Sequence, residues 1–363
     1  MHEALYDDRT GFYASGVGSA GRRGGDFITS PEVGPLFGAV VASAVDGWWA
    51  DLGEPDPFVV VDAGAGPGTL ARTVLVAEPA CARALRWVLV DRSPAMRARH
   101  LDHLPLAPAA MAFAPEDEDS PRDQPTGRGP IAVSIPDLPR LPGPCVVLAN
   151  ELLDNLPFDL WERRGDAWHE VRVGLDEGAG IVEAVLPTEP PARLDRLDAP
   201  HGARVPVQEA ARAWLVDALA LARPDDGGRV IVFDYVATTT ELAARPAGEW
   251  LRTYRGHEPG GAPLEKPGTQ DITVEVCLDQ LASVRPPSSV STQADWLRGH
   301  GIERLVDEGR ARWTAAAAAP DVAALRMRSR GVEAPALLDP AGLGGFTVLE
   351  WTDDTAAGAA LSR

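Results

Sequence analysis

The stretch Val61-Asp62-Ala63-Gly64-Ala65-Gly66-Pro67-Gly68 constrains this chain more than any other. It follows a short apolar run, Phe58-Val59-Val60-Val61, and precedes Thr69, Leu70, Thr73, Val74 and Leu75 at helical spacing. A buried strand, a glycine turn and a helix in that order form a nucleotide-type binding unit. Glycine lets the backbone approach a ligand closely, and the helix start offers free N–H groups. Downstream, Val88-Leu89-Val90-Asp91 reads as a second buried strand ending in an acid, 23 residues past Gly68 (91 − 68). In a doubly wound sheet an acid so placed accepts hydrogen bonds from ribose hydroxyls. The expectation is an adenosine-containing cofactor.

Length and composition bound the rest. A chain of 363 residues can bury a substantial core, as one elaborated domain or as a core with a second lobe. No apolar run approaches the roughly 20 residues needed to span a bilayer. The start, Met1-His2-Glu3-Ala4-Leu5-Tyr6-Asp7-Asp8, lacks the basic and apolar regions of a signal peptide. Cys81, Cys145 and Cys277 stand apart, without metal-type pair spacing, so no metal site is expected. They read as small buried apolar residues in a reducing compartment, and a cytoplasmic location is expected. The formal charge of −19 argues against nonspecific nucleic-acid binding, which needs a cationic surface. It is compatible with a basic substrate segment, and more readily with acids that only keep the chain soluble.

Along the chain, residues 1–50 read as an N-terminal cap or lid and 51–157 as the cofactor-binding core. Residues 158–206 read as a β insertion, and 207–363 as the rest of the core with a helical acceptor-site part. A helix is expected from Pro35 to Trp49, with Leu36, Val40, Val41, Ala44 and Trp48 on one face. The core then alternates strand 58–62, helix 69–77, strand 86–90 and a helix opening at Ser93-Pro94, a cap followed by proline. Residues 105–130 are proline-rich and acidic and read as a surface loop. Strands follow at 145–149 and 230–233, with short alternating strands over 158–185 and a helix over 207–222 between them. Residues 246–268 read as a Gly/Pro-rich loop. Helices near 292–299, 305–318 and 320–329 and a last strand from Phe346 to Trp351 complete the pattern.

Three polar clusters carry the chemistry. Gly64-Ala65-Gly66-Pro67-Gly68 is a GxGxG turn, with Thr69 where a dinucleotide fingerprint would need its third glycine. So close a turn suits S-adenosylmethionine, which has no pyrophosphate to cradle; a dinucleotide or a purely structural turn remains as an alternative. Asp62 is placed to face the cofactor's amino group or to cap the turn. Asn150-Glu151-Leu152-Leu153-Asp154-Asn155-Leu156-Pro157 lies at the end of the fourth strand, where ligands collect in open α/β sheets. Asn150 can accept from an acceptor N–H, and Glu151 can neutralise a guanidinium or take its proton. Alternatively Glu151 and Asp154 cap the next helix. In Gly24-Gly25-Asp26-Phe27-Ile28-Thr29-Ser30-Pro31-Glu32, Ser30 could cap a helix, or the glycine-rich lead-in could close over a cofactor. Tyr254 and His257, in a Gly/Pro loop, are structural or line the acceptor site, and the scattered tryptophans read as packing.

Taken in order, these segments resemble the MidA family of S-adenosylmethionine-dependent methyltransferases. The resemblance rests on Gly25 to Glu32 with Phe37-Gly38, Asp62 to Gly68, and Asn150-Glu151-x-x-Asp154-x-Leu156-Pro157. It continues in Asp234-Tyr235, Tyr254-Arg255-Gly256-His257 and Pro267-Gly268-x-Gln270-Asp271-Ile272-Thr273, covering about residues 1–300. It implies an α/β fold, a Rossmann-like class I methyltransferase sheet with an antiparallel β insertion and a helical C-terminal part. It also implies a protein substrate, arginine in mitochondrial members that act on a respiratory complex I subunit; a small-molecule acceptor is a further possibility. On this reading Asp62, Gly64, Gly66, Gly68 and Asp91 bind the cofactor, Thr29 and Ser30 close over it, and Glu151, Asn150 and Asp154 serve catalysis. The chain departs from the family pattern at Asp62 for glutamate, Pro67 for arginine and Val236 for glycine. Glu275 and Cys277 stand where the family carries histidine and aspartate. Family members also usually carry a helix ahead of Leu5-Tyr6-Asp7, and Met1 falls within that motif, so the first helix is expected to be short or missing. The rival readings are a non-catalytic assembly factor that keeps the fold and a nicotinamide-dependent oxidoreductase.

Overall fold

Four strands open the sheet that positions the glycine turn: β1 (Phe58–Ala63), β2 (Leu85–Val90), β3 (Ile131–Ile135) and β4 (Val146–Asn150). Next come β5 (Asp159–Arg164), β6 (Ala167–Asp176), β7 (Gly180–Leu186) and β8 (Arg204–Val207). After β9 (Arg229–Asp234) follow the short strands β10 (Val236–Ala237), β11 (Leu251–Arg255), β12 (Glu258–Pro259), β13 (Asp271–Val274) and β14 (Val276–Cys277). The last two are β15 (Ser289–Thr292) and β16 (Thr347–Trp351). This computed structural model describes every residue except 8, 14–28, 114–128, 179, 257, 320 and 354–363. The expected acidic loop at Pro115–Asp119, the cluster Gly24–Ile28 and His257 therefore lie outside the described residues. The chain forms two units. One comprises Ser19–Asn150, Ala218–Phe233 and Pro287–Arg363; the other comprises Met1–Gly18, Glu151–Asp217 and Asp234–Pro286.

The first unit is built on a seven-stranded sheet in the order β15-β16-β9-β4-β1-β2-β3. β1 pairs in parallel with β2 and β4, β2 with β3, and β4 with β9, whereas β15 and β16 are antiparallel. Strand order reverses between β1 and β4, and such a switch point is where open α/β sheets bind ligands, beyond the carboxyl ends of the strands. Every residue of β2 is buried, as expected of a parallel strand covered on both faces. β3 and β15 are additions to the expected pattern. β15, Ser-Val-Ser-Thr, has little apolar signal, and its register comes from pairing with β16.

The helix Pro35–Asp51 buries Leu36, Phe37, Val40, Val41 and Trp48 in the main core. It approaches the helix Thr69–Val76 so closely that a Cβ at Gly38 would lie 2.1 Å from Thr73 Oγ1. Its first turn is completed from far along the chain: Leu36 N–H donates to Glu333 Oε2 at 2.7 Å. Glu333 lies in Val322–Leu338, which runs on through Pro335 and so extends beyond the expected 320–329. The other expected C-terminal helix, 305–318, is observed as Ile302–Ala315. The Ser93-Pro94 start forms as read, with Met96 N–H donating to Ser93 Oγ at 3.2 Å.

In the second unit β5 to β8 form an antiparallel sheet in the order β7-β6-β5-β8. Trp161, Trp168, Leu194, Val205 and Val207 pack together there, which accounts for two of the scattered tryptophans. The loop expected over 246–268 contains β11, which pairs antiparallel with β13 from Leu251↔Val274 to Tyr254↔Asp271. Arg252-Thr253-Tyr254-Arg255 hides this strand from a hydrophobicity reading, because only Thr253 of the four is buried. Leu5, Phe12 and Ile272 join the first residues of the chain to β13.

Candidate active site

The glycine turn leaves β1 with Gly64, Gly66 and Gly68 at φ +71°, +53° and +87°, the left-handed region that side chains disfavour. A Cβ at Gly66 would meet no described atom within 4 Å, so that face of the turn is open to a ligand. At Gly68 a Cβ would sit 3.1 Å from Leu89 Cδ2 and 3.3 Å from His100 Cδ2, so this glycine serves packing as well as backbone. The turn is held from both sides. Gly66 N–H donates to Asp91 Oδ2 at 2.9 Å, and the Gly66 carbonyl lies 2.8 Å from His100 Nε2. Asp91 Oδ1 also accepts from Ser93 N–H at 2.8 Å. A carboxylate offers about four acceptor sites, so Asp91 keeps capacity for ribose hydroxyls.

Asp62, at the end of β1, is 3 % exposed, and its Oδ2 accepts from Trp87 Nε1 at 3.3 Å. Burial pushes its carboxyl up to about 7, against the Trp87 bond and with help from the Asp91 charge. Burial likewise lifts Asp91 to about 6, opposed by the Ser93 and Gly66 N–H groups. A cationic ammonium beside Asp62 would favour the ionised form, so the residues present fit an amino-acid-bearing nucleoside cofactor. Thr29 and Ser30 are buried at the helix Ser30–Val33. Ser30 does not cap it: Thr29 holds that position, and Ser30 Oγ donates to Gln293 Oε1 at 2.9 Å. Two residues on, Glu32 Oε1 accepts from Thr69 Oγ1 at 2.6 Å, tying this helix to the one that follows the turn.

Asn150 ends β4 opposite Phe233, and Glu151, the next residue, opens the second unit with φ +51°. A non-glycine residue in that region is uncommon and is found preferentially at functional sites. Asp154 follows in a single 3₁₀ turn, Leu153–Asn155, which neither acid caps. Its cap comes from Asp234, whose Oδ2 accepts from the N–H groups of Leu153 at 3.0 Å and Asp154 at 3.3 Å. Asp234 Oδ1 accepts from Tyr235 N–H at 2.9 Å. Asp271 Oδ1 accepts from Tyr13 Oη at 2.9 Å and Asn155 Nδ2 at 3.1 Å, and Tyr6 Oη donates to the Asn155 carbonyl at 3.1 Å.

Asp154, Asp234 and Asp271 are therefore buried together, and Asp154 Oδ1 has no hydrogen-bond partner among the described residues. Burial, then the charges of Asp234, Glu151 and Asp271, hold the Asp154 carboxyl well above the usual carboxylate range. Burial also lifts Asp234 to about 7. Glu275 is engaged by Arg245 and by Arg252 at 3.0 Å. Tyr6, Tyr13 and His100 were absent from the expected site residues. Their contacts lie 149, 258 and 34 residues away in sequence, beyond any local signal.

A glycine turn at the switch point of this sheet, flanked by Asp62 and Asp91, defines a class I S-adenosylmethionine-dependent methyltransferase. Residues 40–292 match the family described as "Putative S-adenosyl-L-methionine-dependent methyltransferase", and the chain belongs to it. It is similar to the zebrafish protein named protein arginine methyltransferase NDUFAF7, mitochondrial, at 28 % identity over 84 % of this chain and 72 % of that one. The Drosophila melanogaster homologue of the same name is 28 % identical over 76 % of this chain, which spans 63 % of that protein's length. Among solved structures, a COG1565 superfamily member from Burkholderia thailandensis bound to S-adenosyl-homocysteine superposes with a TM-score of 0.76. It is 26 % identical, over 97 % of this chain and 86 % of that one. The cofactor is S-adenosylmethionine, and the dinucleotide alternative falls.

The expected cytoplasmic location is corrected by the same relatives, which are named as mitochondrial. Cys81, Cys145 and Cys277 are buried and unpaired, a state that more than one compartment allows. Among the described residues no helix is long and apolar enough to cross a membrane.

Proposed function

We propose that this enzyme methylates a nitrogen of a protein side chain, arginine being the residue its acidic cluster fits best. The observation that carries the reading is Asp154 Oδ1, buried without a partner among the described residues, beside Asp234, Glu151 and Asp271. A guanidinium is always charged and presents donors in a planar fork, so it would ionise and pair with carboxyls that burial otherwise keeps protonated. The names of the curated relatives support arginine, and the left-handed backbone at Glu151 supports a functional role for the turn.

In this reading Asp62, Gly64, Gly66, Gly68 and Asp91 hold the cofactor, with Thr29 and Ser30 in the adjoining helix. When bound, S-adenosylmethionine supplies an electrophilic methyl group on a sulfonium. The chain's own residues position and desolvate the acceptor and receive its proton. Glu151 takes that proton, Asp154 localises the remaining charge, and Asn150 accepts from an acceptor N–H.

Protein substrates incubated with the enzyme and methyl-labelled cofactor, then hydrolysed to amino acids, should carry the label in N-methylarginine. Label in lysine, in carboxyl esters or only in small molecules would overturn the arginine assignment. Glu151→Gln should keep cofactor affinity while turnover falls about 100-fold or more, the usual contribution of a positioned base. Equal loss of affinity and turnover would remove Glu151 from the chemistry.

A further inference from the structure

We propose that His100 is a positioning residue of the cofactor turn, clamping the Gly66 carbonyl so that the open face of the turn is formed before the cofactor arrives. A carbonyl oxygen can only accept, so His100 Nε2, at 2.8 Å, must carry the proton. Nδ1 lies 2.8 Å from Ser134 Oγ, which donates to it in the neutral ring. His100 is fully buried, and burial lowers its pKa below the ordinary histidine value, against the pull of the Gly66 carbonyl and with Arg97 and His103 acting in the same direction as burial. The neutral Nε2–H tautomer is therefore the form that makes both contacts.

The other polar group of Gly66 is fixed as well, since its N–H donates to Asp91 Oδ2 at 2.9 Å. Side chains from β2's end and from the helix Pro94–His103 thus grip both backbone groups of one residue at φ +53°. The imidazole passes over Gly68, where an added Cβ would lie 3.3 Å from its Cδ2. The last glycine of the motif accordingly makes room for the clamp on the middle one. A turn held in this way need not be ordered on binding, which strengthens affinity without adding a contact to the ligand.

The test is calorimetric titration of the whole protein with S-adenosylhomocysteine, alongside thermal melting and kinetics at saturating cofactor. His100→Leu should fold but bind about tenfold more weakly, the equivalent of one buried hydrogen bond, with kcat at saturation preserved. His100→Gln, whose amide N–H reaches the carbonyl, should bind within about threefold of the parent by the same reckoning. Ring-nitrogen NMR should show the Nε2–H tautomer near neutral pH. If His100→Leu binds like the parent, if His100→Gln falls as far as His100→Leu, or if the ring is the Nδ1–H tautomer, the proposal is overturned. Should His100→Leu fail to fold, His100→Gln and the tautomer decide. A folded parent that does not bind S-adenosylhomocysteine removes the cofactor assignment itself, an outcome distinct from a defect confined to the His100 variants.

Discussion

Asp62 combines a buried carboxyl, a weak Trp87 hydrogen bond and a pKa lifted to about 7, so in its proposed role folding stability and cofactor affinity should respond oppositely to pH. Between the unfolded value near 4 and the folded value near 7, the folded chain holds the extra proton, so this group's contribution to stability falls as pH rises through that window. Asp91, at about 6, and Asp234, at about 7, act in the same direction. Urea unfolding of the cofactor-free protein should show these contributions shrinking between about pH 4 and 7, and Asp62→Asn should flatten part of the slope. Affinity for S-adenosylhomocysteine should instead rise as Asp62 ionises through about 7, and Asp62→Asn should abolish that rise. An affinity independent of pH in the parent would separate Asp62 from the cofactor's ammonium. The glycine turn itself was legible because β1, the turn and the helix Thr69–Val76 are consecutive in the chain, and Asp91, which holds Gly66 N–H, directly follows the next strand. His100 and Ser134 were not, since the contacts of His100 with the Gly66 carbonyl and with Ser134 each join residues 34 positions apart and depend on how the helix Pro94–His103 is rotated.

Among elements, the helix Pro35–Asp51 shows how far the supports of the turn reach. Its Leu36 N–H is satisfied by Glu333, 297 residues on, where a buried carboxylate also favours the helix dipole. Glu333→Ala should lower unfolding free energy by about 1–3 kcal/mol through the stranded N–H, and Glu333→Gln by less, measured by chemical denaturation. No change in Glu333→Ala would mean that water replaces the cap. The strands β1, β2, β4 and β9 were readable because burial on both faces leaves unbroken apolar runs. β11 and β15 were hidden for the opposite reason: their residues are largely polar, and pairing with β13 and β16 creates the strand. Helix ends at 302 and 338 also escaped, since packing carries Val322–Leu338 through Pro335 where local preference would stop it.

For the whole molecule, a sheet whose order reverses between β1 and β4 brings the glycine turn and the Asn150 end of β4 to adjacent strand termini. Sequence carried this much because the motifs recur in chain order. It did not carry the compartment, because buried cysteines respond to redox state alone. In the proposed site, the open face at Gly66 receives S-adenosylmethionine. Calorimetric titration of the parent and of Gly66→Val with S-adenosylhomocysteine decides this. Valine is strained at φ +53°, and its branches would fill the space where no described atom lies within 4 Å. The parent should bind with micromolar affinity and Gly66→Val not at all, with the far-ultraviolet circular dichroism unchanged. Undiminished binding in a folded Gly66→Val, or no binding in the folded parent, would contradict it.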